Sequence, residues 1–322
     1  MRSSKQSVIL VSGASGIVGY GILRSLRKAG GVRLIGSTIY PESPANVFAD
    51  IFEQAPATTA PEYMDWLEGV IRRHGVDMVI PGIEIDMEVW NANRERLSKT
   101  GVAAMLNNPE LIGLCLDKWR FHERLCERCP EVAIRTSLSA DGFSFPLLLK
   151  PRKGFGSKGI EIVRNGEELA RFAPSIGEKL MVQELVGDVE HEYTISGFFD
   201  RDSNLKALFQ LRRKLSRQGF TEFAETVDIP EMRGIVARLA DCFKPVGPTN
   251  FQFRKDASGW KLLEINPRIS SATSIKTAFG YNECAMAVDY FLRGIEVEQP
   301  ILRKGRAMRY TEDFVEYDSP DI

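Results

Sequence analysis

An excess of charge of either sign is missing: 42 lysines and arginines nearly cancel 43 aspartates and glutamates, so no global field draws in nucleic acid or an anionic membrane. No apolar run approaches the ~18 residues that a membrane span needs. The opening MRSSKQS leads straight towards a strand, without the apolar core or cleavage site of a signal peptide, and a cytoplasmic location is expected. Histidine is scarce. His74, His122 and His191 are scattered, and no Gly-x-Ser-x-Gly elbow accompanies them, which argues against a serine–histidine hydrolase. The five cysteines, Cys115, Cys126, Cys129, Cys242 and Cys284, are odd in number and irregular in spacing, as reduced thiols are and disulfide frameworks are not. His122, Cys126 and Cys129 would share one helix face, yet no second ligand pair completes a zinc site, so a packed helix is expected there. Internal repeats and low-complexity tracts are also absent.

What is present is ordinary soluble material, 43% apolar and 26% charged, in a length that suits two domains or three. Residues 8–23, VILVSGASGIVGYGIL, read as a strand, a turn with Gly13, Gly16 and Gly19, and a helix. Such a turn can cradle a pyrophosphate on the helix N-terminus. The next strand, VRLIG (32–36), should then end in an acid that grips the ribose, but it runs into Ser37-Thr38-Ile39-Tyr40. The loop therefore reads as a βαβ packing turn or a substrate-facing loop, with an NAD(P)-dependent oxidoreductase kept as an alternative. Helices over 63–74 and 85–97 and strands over 76–81 and 102–106 continue the alternation. The N-terminal domain is expected to be a doubly wound α/β unit ending near residue 113.

From Phe145 strands follow one another: FPLLLKP, IEIV, LMVQEL, HEYTISGFF, LKALFQL, EFAETVDI, NFQFRK and KLLEIN. Helices interrupt them only at 231–243 and about 282–293, so an α+β region with antiparallel pairing is expected, and the last five residues are expected to fray. Residues 145–163, FPLLLKPRKGFGSKGIEIV, hold a second glycine loop. The order Ser157-Lys158-Gly159 and the strand that follows do not fit a Walker loop, which must open a helix. A strand-loop-strand flap closing over polyphosphate is one reading; a basic hairpin on a solvated face is the other.

A hairpin closing near residue 258 would set Gln252 opposite Glu264 and Asn250 opposite Asn266. Alternation puts those four polar groups on one face and Phe251, Phe253, Leu263 and Ile265 on the other, with Leu262 out of place on the polar side. Glu264 with the amide oxygens of Asn266 and Gln252 suits magnesium, which takes hard oxygen ligands and keeps several from water and phosphate. Arg268 could reach the same cleft with a fixed charge for a transferring phosphoryl group. Along LMVQELVGDVEHEYTI (180–195), backbone near Gly187 could pair with a base and Glu192 could accept from ribose hydroxyls; surface glutamates are the bland reading.

The order DKWRF (117–121), FPLLLKPRKGFGSKG, QELVGDVEHEYT, NFQF, LEINPRIS and GYN (280–282) resembles the ATP-grasp superfamily, most closely the ATP-grasp half of the carbamoyl-phosphate synthetase large chain. The likeness runs to about residue 300. It implies an N-terminal pre-ATP-grasp α/β domain (1–113), an ATP-grasp small subdomain with a glycine-rich lid (114–185), a large subdomain with the metal site (186–300) and a C-terminal tail (301–322), the two subdomains clamping ATP. It further implies that Lys118 and Lys150 contact ATP phosphates, and that a loop of Lys153, Gly154, Gly156, Ser157 and Gly159 closes over them. Glu184 with the backbone of Leu185 and Val186 would hold adenine, and Glu192 the ribose. Gln252, Glu264 and Asn266 would bind Mg2+ or Mn2+, with Gln252 also against the nucleotide; Arg268 and Lys150 would act on the reacting groups. With one such unit and no ammonia-producing domain, the resemblance implies a stand-alone carboxylate–amine ligase working through an acyl phosphate. Its partners would be small-molecule carboxylates and amines, not nucleic acid or membrane, and a homodimer stays open. An ATP-binding protein without turnover is the other alternative. For the substrates, Arg212, Arg213, Lys214 and Arg217, Glu84, Asp86 and Glu88, and Arg306 and Arg309 are candidates; each also reads as a solvated charge.

Overall fold

The computed structural model describes residues 6–43, 45–154, 159–188, 191–216 and 219–315. Gly156, Ser157, Lys158 and Arg217, and the terminal residues expected to fray, lie outside the described residues.

The N-terminal alternation folds as a parallel sheet. Strands β1 (Ser7–Val11), β2 (Val32–Thr38), β3 (Ile51–Gln54), β4 (Met78–Ile80) and β5 (Ala103–Ala104) lie in the order β3-β2-β1-β4-β5. Val8 to Val11 are all buried, as a strand covered on both faces must be. Helix α1 (Ile17–Ala29) follows the first glycine loop and α2 (Tyr63–His74) precedes β4; the latter has the bounds that its apolar spacing predicts. The helix expected over 85–97 divides into α3 (Glu84–Ala92) and a short turn of helix, Arg94–Ser98. Asn93 sits at the break, its side-chain amide donating to the Val89 carbonyl at 2.8 Å, a local bond that competes with helix continuation.

Helix α4 (Lys118–Arg128) leads into a four-stranded antiparallel sheet, β6 (Thr136–Ser137), β7 (Leu147–Pro151), β8 (Glu161–Val163) and β9 (Leu180–Glu184), ordered β6-β9-β7-β8. It has its own small core of Leu147, Leu149, Val163 and Val182. The third sheet holds β10 (Glu192–Phe199), β11 (Leu205–Leu215), β12 (Thr221–Thr226), β13 (Gly247–Asp256), β14 (Gly259–Asn266) and β15 (Arg306–Met308), ordered β14-β13-β10-β11-β12-β15. Helix α5 (Met232–Phe243) packs Val236, Leu239 and Phe243 on it. The helix expected over 282–293 is α-helical only across Glu283–Ala287 and continues as a π turn, Val288–Leu292. Residues 301–322, read from sequence as a tail, contribute the edge strand β15, which pairs with β12.

One core joins the first sheet to the third. Ile22, Leu23 and Leu26 of α1 belong to the same buried cluster as Phe198, Phe209 and Tyr281. Each such side chain contributes roughly 1.5–3 kcal/mol on burial, so the N-terminal and large sheets form one packed body. The small sheet stands across a cleft from them.

Candidate active site

The cleft encloses a cavity of about 630 Å³, within the usual range for small-molecule sites. Its walls come from around all three sheets: Gly16 and Glu84 from the starts of α1 and α3 at the carboxyl end of the first, Lys150 and Gln183 from the second, Glu264 and Arg213 from the third.

The β13–β14 hairpin supplies the floor. Asn250 faces Asn266 and Gln252 faces Glu264, the register that the alternation predicts. A bulge then shifts the ladder, so that Phe253 faces Leu262 and Leu263 is the extra residue. The expectation for these two leucines is thereby corrected: Leu262 is buried in the apolar core, while Leu263 leaves it. The bulge turns the Leu263 carbonyl towards the cavity, where it accepts from Lys150 Nζ at 3.3 Å.

Lys150 is buried at the end of β7, and burial pulls its ammonium below the ordinary lysine range, with Glu264 and Glu192 opposing that shift. Lys118 is the first residue of α4, whose N-terminus is capped by Asp117 accepting from the Trp119 and Arg120 amides at 3.0 and 3.3 Å. Asp117 also pairs with Arg152 at 3.2 Å, and the Lys118 amide donates to the Arg152 carbonyl at 2.9 Å, tying the helix start to the end of β7. From there Lys118 Nζ donates to the Gly154 carbonyl at 2.6 Å. Its pKa is lowered by burial and by the Lys150 charge. Burial alone would raise the Glu264 carboxyl, but the Lys150 charge, the Asn266 amide and the Lys118 charge outweigh it and hold the group ionised. The Asn266 amide donates to Glu264 Oε1 at 3.0 Å.

Arg268 reaches the same place. It hydrogen-bonds Asn266 Oδ1 at 3.4 Å and forms an ion pair with Glu84 at the start of α3, joining the hairpin to the first sheet. Glu84 is therefore neither a free helix-surface charge nor an open site for an amine. Glu192 lines the cavity, but both its oxygens are engaged in a buried cluster: Oε1 with Arg213 at 2.7 Å and Oε2 with Arg254 at 3.2 Å. A ribose hydroxyl there would share the carboxylate with two guanidinium groups. Gln183 turns inward to Thr136 Oγ1 at 2.9 Å, whereas Glu184 is half exposed and pairs with Arg135 at 3.2 Å. Beyond them Leu185 is exposed at the rim and Val186 buried, its carbonyl 3.5 Å from Arg254 Nη1.

Lys153 is exposed and lies outside the cavity wall, which Gly154 joins and Gly159 does not. Arg212 points away and pairs with Glu225 at 2.7 Å, while Arg309 is tied to the Ser271 carbonyl at 2.9 Å. Cys126 Sγ lies 3.4 Å from His122 Nε2, but Cys129 contacts the Arg238 carbonyl instead, and no cluster of three or more His, Cys, Asp or Glu suits a metal among the described residues. The first glycine loop is a packing turn and faces the cavity as well. A Cβ at Gly19 would fall 2.3 Å from the Gly13 carbonyl oxygen, and Gly16, Ile17 and Val18 line the wall. At the end of β2, Thr38 Oγ1 meets Ser15 Oγ at 2.8 Å where a ribose-binding acid would stand.

Sequence reading missed Arg254, although it lies two residues beyond Gln252 on the same strand face. It also missed the pairing of Arg213 with Glu192, which are direct partners across β10 and β11.

Residues 177–314 match the family model "ATP-grasp in the biosynthetic pathway with Ter operon", and residues 10–105 match "PylC-like, N-terminal domain". The carbamoyl phosphate synthase large chain of Thermoplasma volcanium is 23% identical over 318 residues, 87% of this chain and 29% of that one. That of Thermoanaerobacter sp. is 24% identical over 199 residues, 55% of this chain and 18% of that one. The chain thus spans less than a third of the length of these curated relatives. Among solved structures, N5-carboxyaminoimidazole synthetase from Staphylococcus aureus, complexed with ADP, superposes with a TM-score of 0.72 at 15% identity, covering 92% of this chain and 80% of that one. The biotin carboxylase domain of Hydrogenobacter thermophilus 2-oxoglutarate carboxylase, complexed with MgADP, ADP and bicarbonate, gives 0.71 at 17% identity over 92% and 73%. No helix among the described residues is long and apolar enough to cross a membrane.

Proposed function

For a chain that has the ATP-grasp fold and is carbamoyl-phosphate-synthetase-like in sequence, we propose the activity of an ATP-dependent carboxylate–amine ligase, with Mg-ATP held between the small sheet and the β13–β14 hairpin. The observation that carries this reading is the convergence of Lys118, Lys150 and Glu264, from three separate elements, on one cavity. Two lysines stripped of water beside a carboxylate held ionised form a site for a polyphosphate and its divalent ion.

The donor set fits magnesium or manganese: one carboxylate, Glu264, with amide oxygens of Gln252 and Asn266, and room for water and phosphate to complete the shell. When bound, the ion would draw charge from the phosphates and orient the γ-phosphoryl group. Lys150 and Lys118 neutralise phosphate oxygens, and Gly154 brings backbone close to them. Backbone at Leu185 and Val186, beside Glu184, frames the adenine. Glu192, clamped by its two arginines, shapes the ribose end of the cavity.

A substrate carboxylate would lie between Arg268 and the N-terminus of α1, whose first turn has no side-chain cap and opens on the cavity at Gly16–Val18. Its oxygen attacks the γ-phosphorus and ADP leaves, giving an acyl phosphate. An amine then attacks the carbonyl carbon, loses a proton, and expels phosphate to leave an amide. Positioning and charge neutralisation do this work, so no nucleophilic side chain is needed. Cys115, on the wall, does not supply one, since burial and the Glu264 charge push its thiol well up.

The test is phosphate release from Mg-ATP against a panel of carboxylates paired with amines. Turnover with a defined pair, abolished by Glu264→Ala and with weaker ATP binding in Lys150→Ala, is the expected result. Near-normal turnover in Glu264→Ala would refute the metal assignment, and ATP binding with no turnover across a broad panel would favour a nucleotide-binding protein.

A further inference from the structure

The carboxyl end of the first sheet holds a second cavity of about 240 Å³, which shares Gly16 and Ile83 with the large one. Its polar wall is made of hydroxyl groups and one carboxylate, Asp86, and no lysine, arginine or histidine lines it. Asp86 is 2% exposed. Its Oδ1 accepts from Thr58 Oγ1 at 2.6 Å and from Tyr63 Oη at 2.9 Å. The Tyr63 oxygen in turn accepts from Trp90 Nε1 at 3.2 Å, which leaves its proton for Asp86 and fixes the direction of the network. No salt bridge to Asp86 exists among the described residues, and burial pushes its carboxyl up against the pull of the Ser12, Thr58 and Tyr63 hydroxyls. The first turn of α3 also favours a negative charge at this position, so the hydroxyls and the helix offset only part of the cost of burying that charge.

Ser37 supplies the second observation. It is 1% exposed, lines the same cavity, and its Oγ has no hydrogen-bond partner. A buried carboxyl group without a cation, in a cavity that also borders a hydroxyl group without a partner, is the complement of a group that carries positive charge and several N–H bonds. A primary ammonium has three donors and no acceptor. Ile39, Tyr40, Pro56 and Ile83 add apolar surface that suits methylene groups.

We propose that this cavity binds the ammonium group of a small aliphatic amine, and that it recognises the cationic end of a substrate whose reacting group enters the large cavity past Gly16 and Ile83. An amine held against Asp86 stays protonated and cannot attack an acyl phosphate, so the group bound here is a recognition group, separate from the one that reacts. The substrate is then a diamine or an amino acid carrying a second, unreacting ammonium. That role rests on the ligase reading; the binding itself does not.

Binding is tested without turnover, on the full chain, with n-butylamine and its neutral counterpart n-butanol, by ligand-observed NMR titration. The native protein should take up the amine at least about tenfold more tightly than the alcohol. Asp86→Asn should erase that preference while Mg-ATP affinity stays unchanged. Ser37→Ala removes a buried hydroxyl with no partner, so it should raise the melting temperature slightly and weaken amine binding severalfold, a pair of opposite effects that a purely structural serine would not produce. Equal binding of amine and alcohol, absence of amine binding, or undiminished amine binding in Ser37→Ala would each overturn the proposal. Amine binding in a protein that shows no affinity for Mg-ATP would instead sink the ligase reading and leave this site standing.

Discussion

At Gly19, in the first glycine loop, a Cβ would sit 2.3 Å from the Gly13 carbonyl oxygen and 2.6 and 2.8 Å from further backbone atoms; at Gly154, in the second, nothing lies within 4 Å, but φ is +118°. The two stretches look alike in sequence and use glycine for different reasons. In the first, two backbone segments touch, and the loop is fixed as part of the core. In the second, the backbone takes a conformation that L side chains avoid, in open space beside Lys118. The same contrast separates two carboxylates of the cavity. Glu192 is saturated by Arg213 and Arg254, whereas the Coulombic partners of Glu264, Lys150 and Lys118, are themselves short of solvent and directed at the same space. Glycine content and buried charge thus mark packed structure in one place and the proposed ligand site in another, and what surrounds the residue separates the two.

Substitutions can break this contrast. Glu192→Gln should have the largest effect on folding, about 3–5 kcal/mol, because it leaves Arg213 buried without a counter-charge; denaturant unfolding measures it. Gly19→Ala should cost upwards of about 3 kcal/mol, since backbone atoms and not a side-chain tip must move, with Mg-ATP affinity preserved in whatever folds. Gly154→Ala should cost only about 1 kcal/mol in melting experiments yet raise the KM for ATP, because strain there displaces the carbonyl that Lys118 holds. If Gly154→Ala destabilises more than Gly19→Ala, the contrast between the loops is wrong. The smallest effect concerns pH. Lys150 is held below the ordinary lysine range and, on the proposed reading, ATP needs it charged, so ATP affinity should decline as pH rises through that lowered pKa, at lower pH than an unperturbed lysine would allow. Calorimetric titration from neutral to alkaline pH checks this, and Lys150→Arg should flatten the profile.

Much of this arrangement is legible in the sequence, and the exceptions have physical causes. The Gln252–Glu264 and Asn250–Asn266 pairs match the register read from the polar alternation, but a regular ladder from the Asp256–Gly259 turn would set Gln252 opposite Leu263, and the bulge supplies the one-residue shift that brings Glu264 there. Leu262 falls out of parity in that reading, and the bulge at Leu263 is the reason; a bulge is a backbone event whose only trace in sequence is such a residue out of step. Strand Ile51–Gln54 was not foreseen, since four partly exposed residues carry too little pattern. The pairing of Glu192 with Arg213 and Arg254 joins three strands, and the closure of Arg268 on Glu84 spans 184 residues, so neither has any local signature. The buried Asp86, one of three acids near the start of α3, was distinguishable from Glu84 and Glu88 only once the helix was placed against Tyr63 and Thr58.

In the proposed function, Glu264 and Lys150 grip the metal and the phosphates of a single nucleotide. Calorimetric titration of ATP into the native protein and into Glu264→Gln, each with and without magnesium, addresses that directly. Magnesium should strengthen ATP binding to the native protein by at least about tenfold, and Glu264→Gln should lose that gain while keeping the metal-free affinity that Lys150 supplies. An undiminished magnesium effect in Glu264→Gln would contradict it.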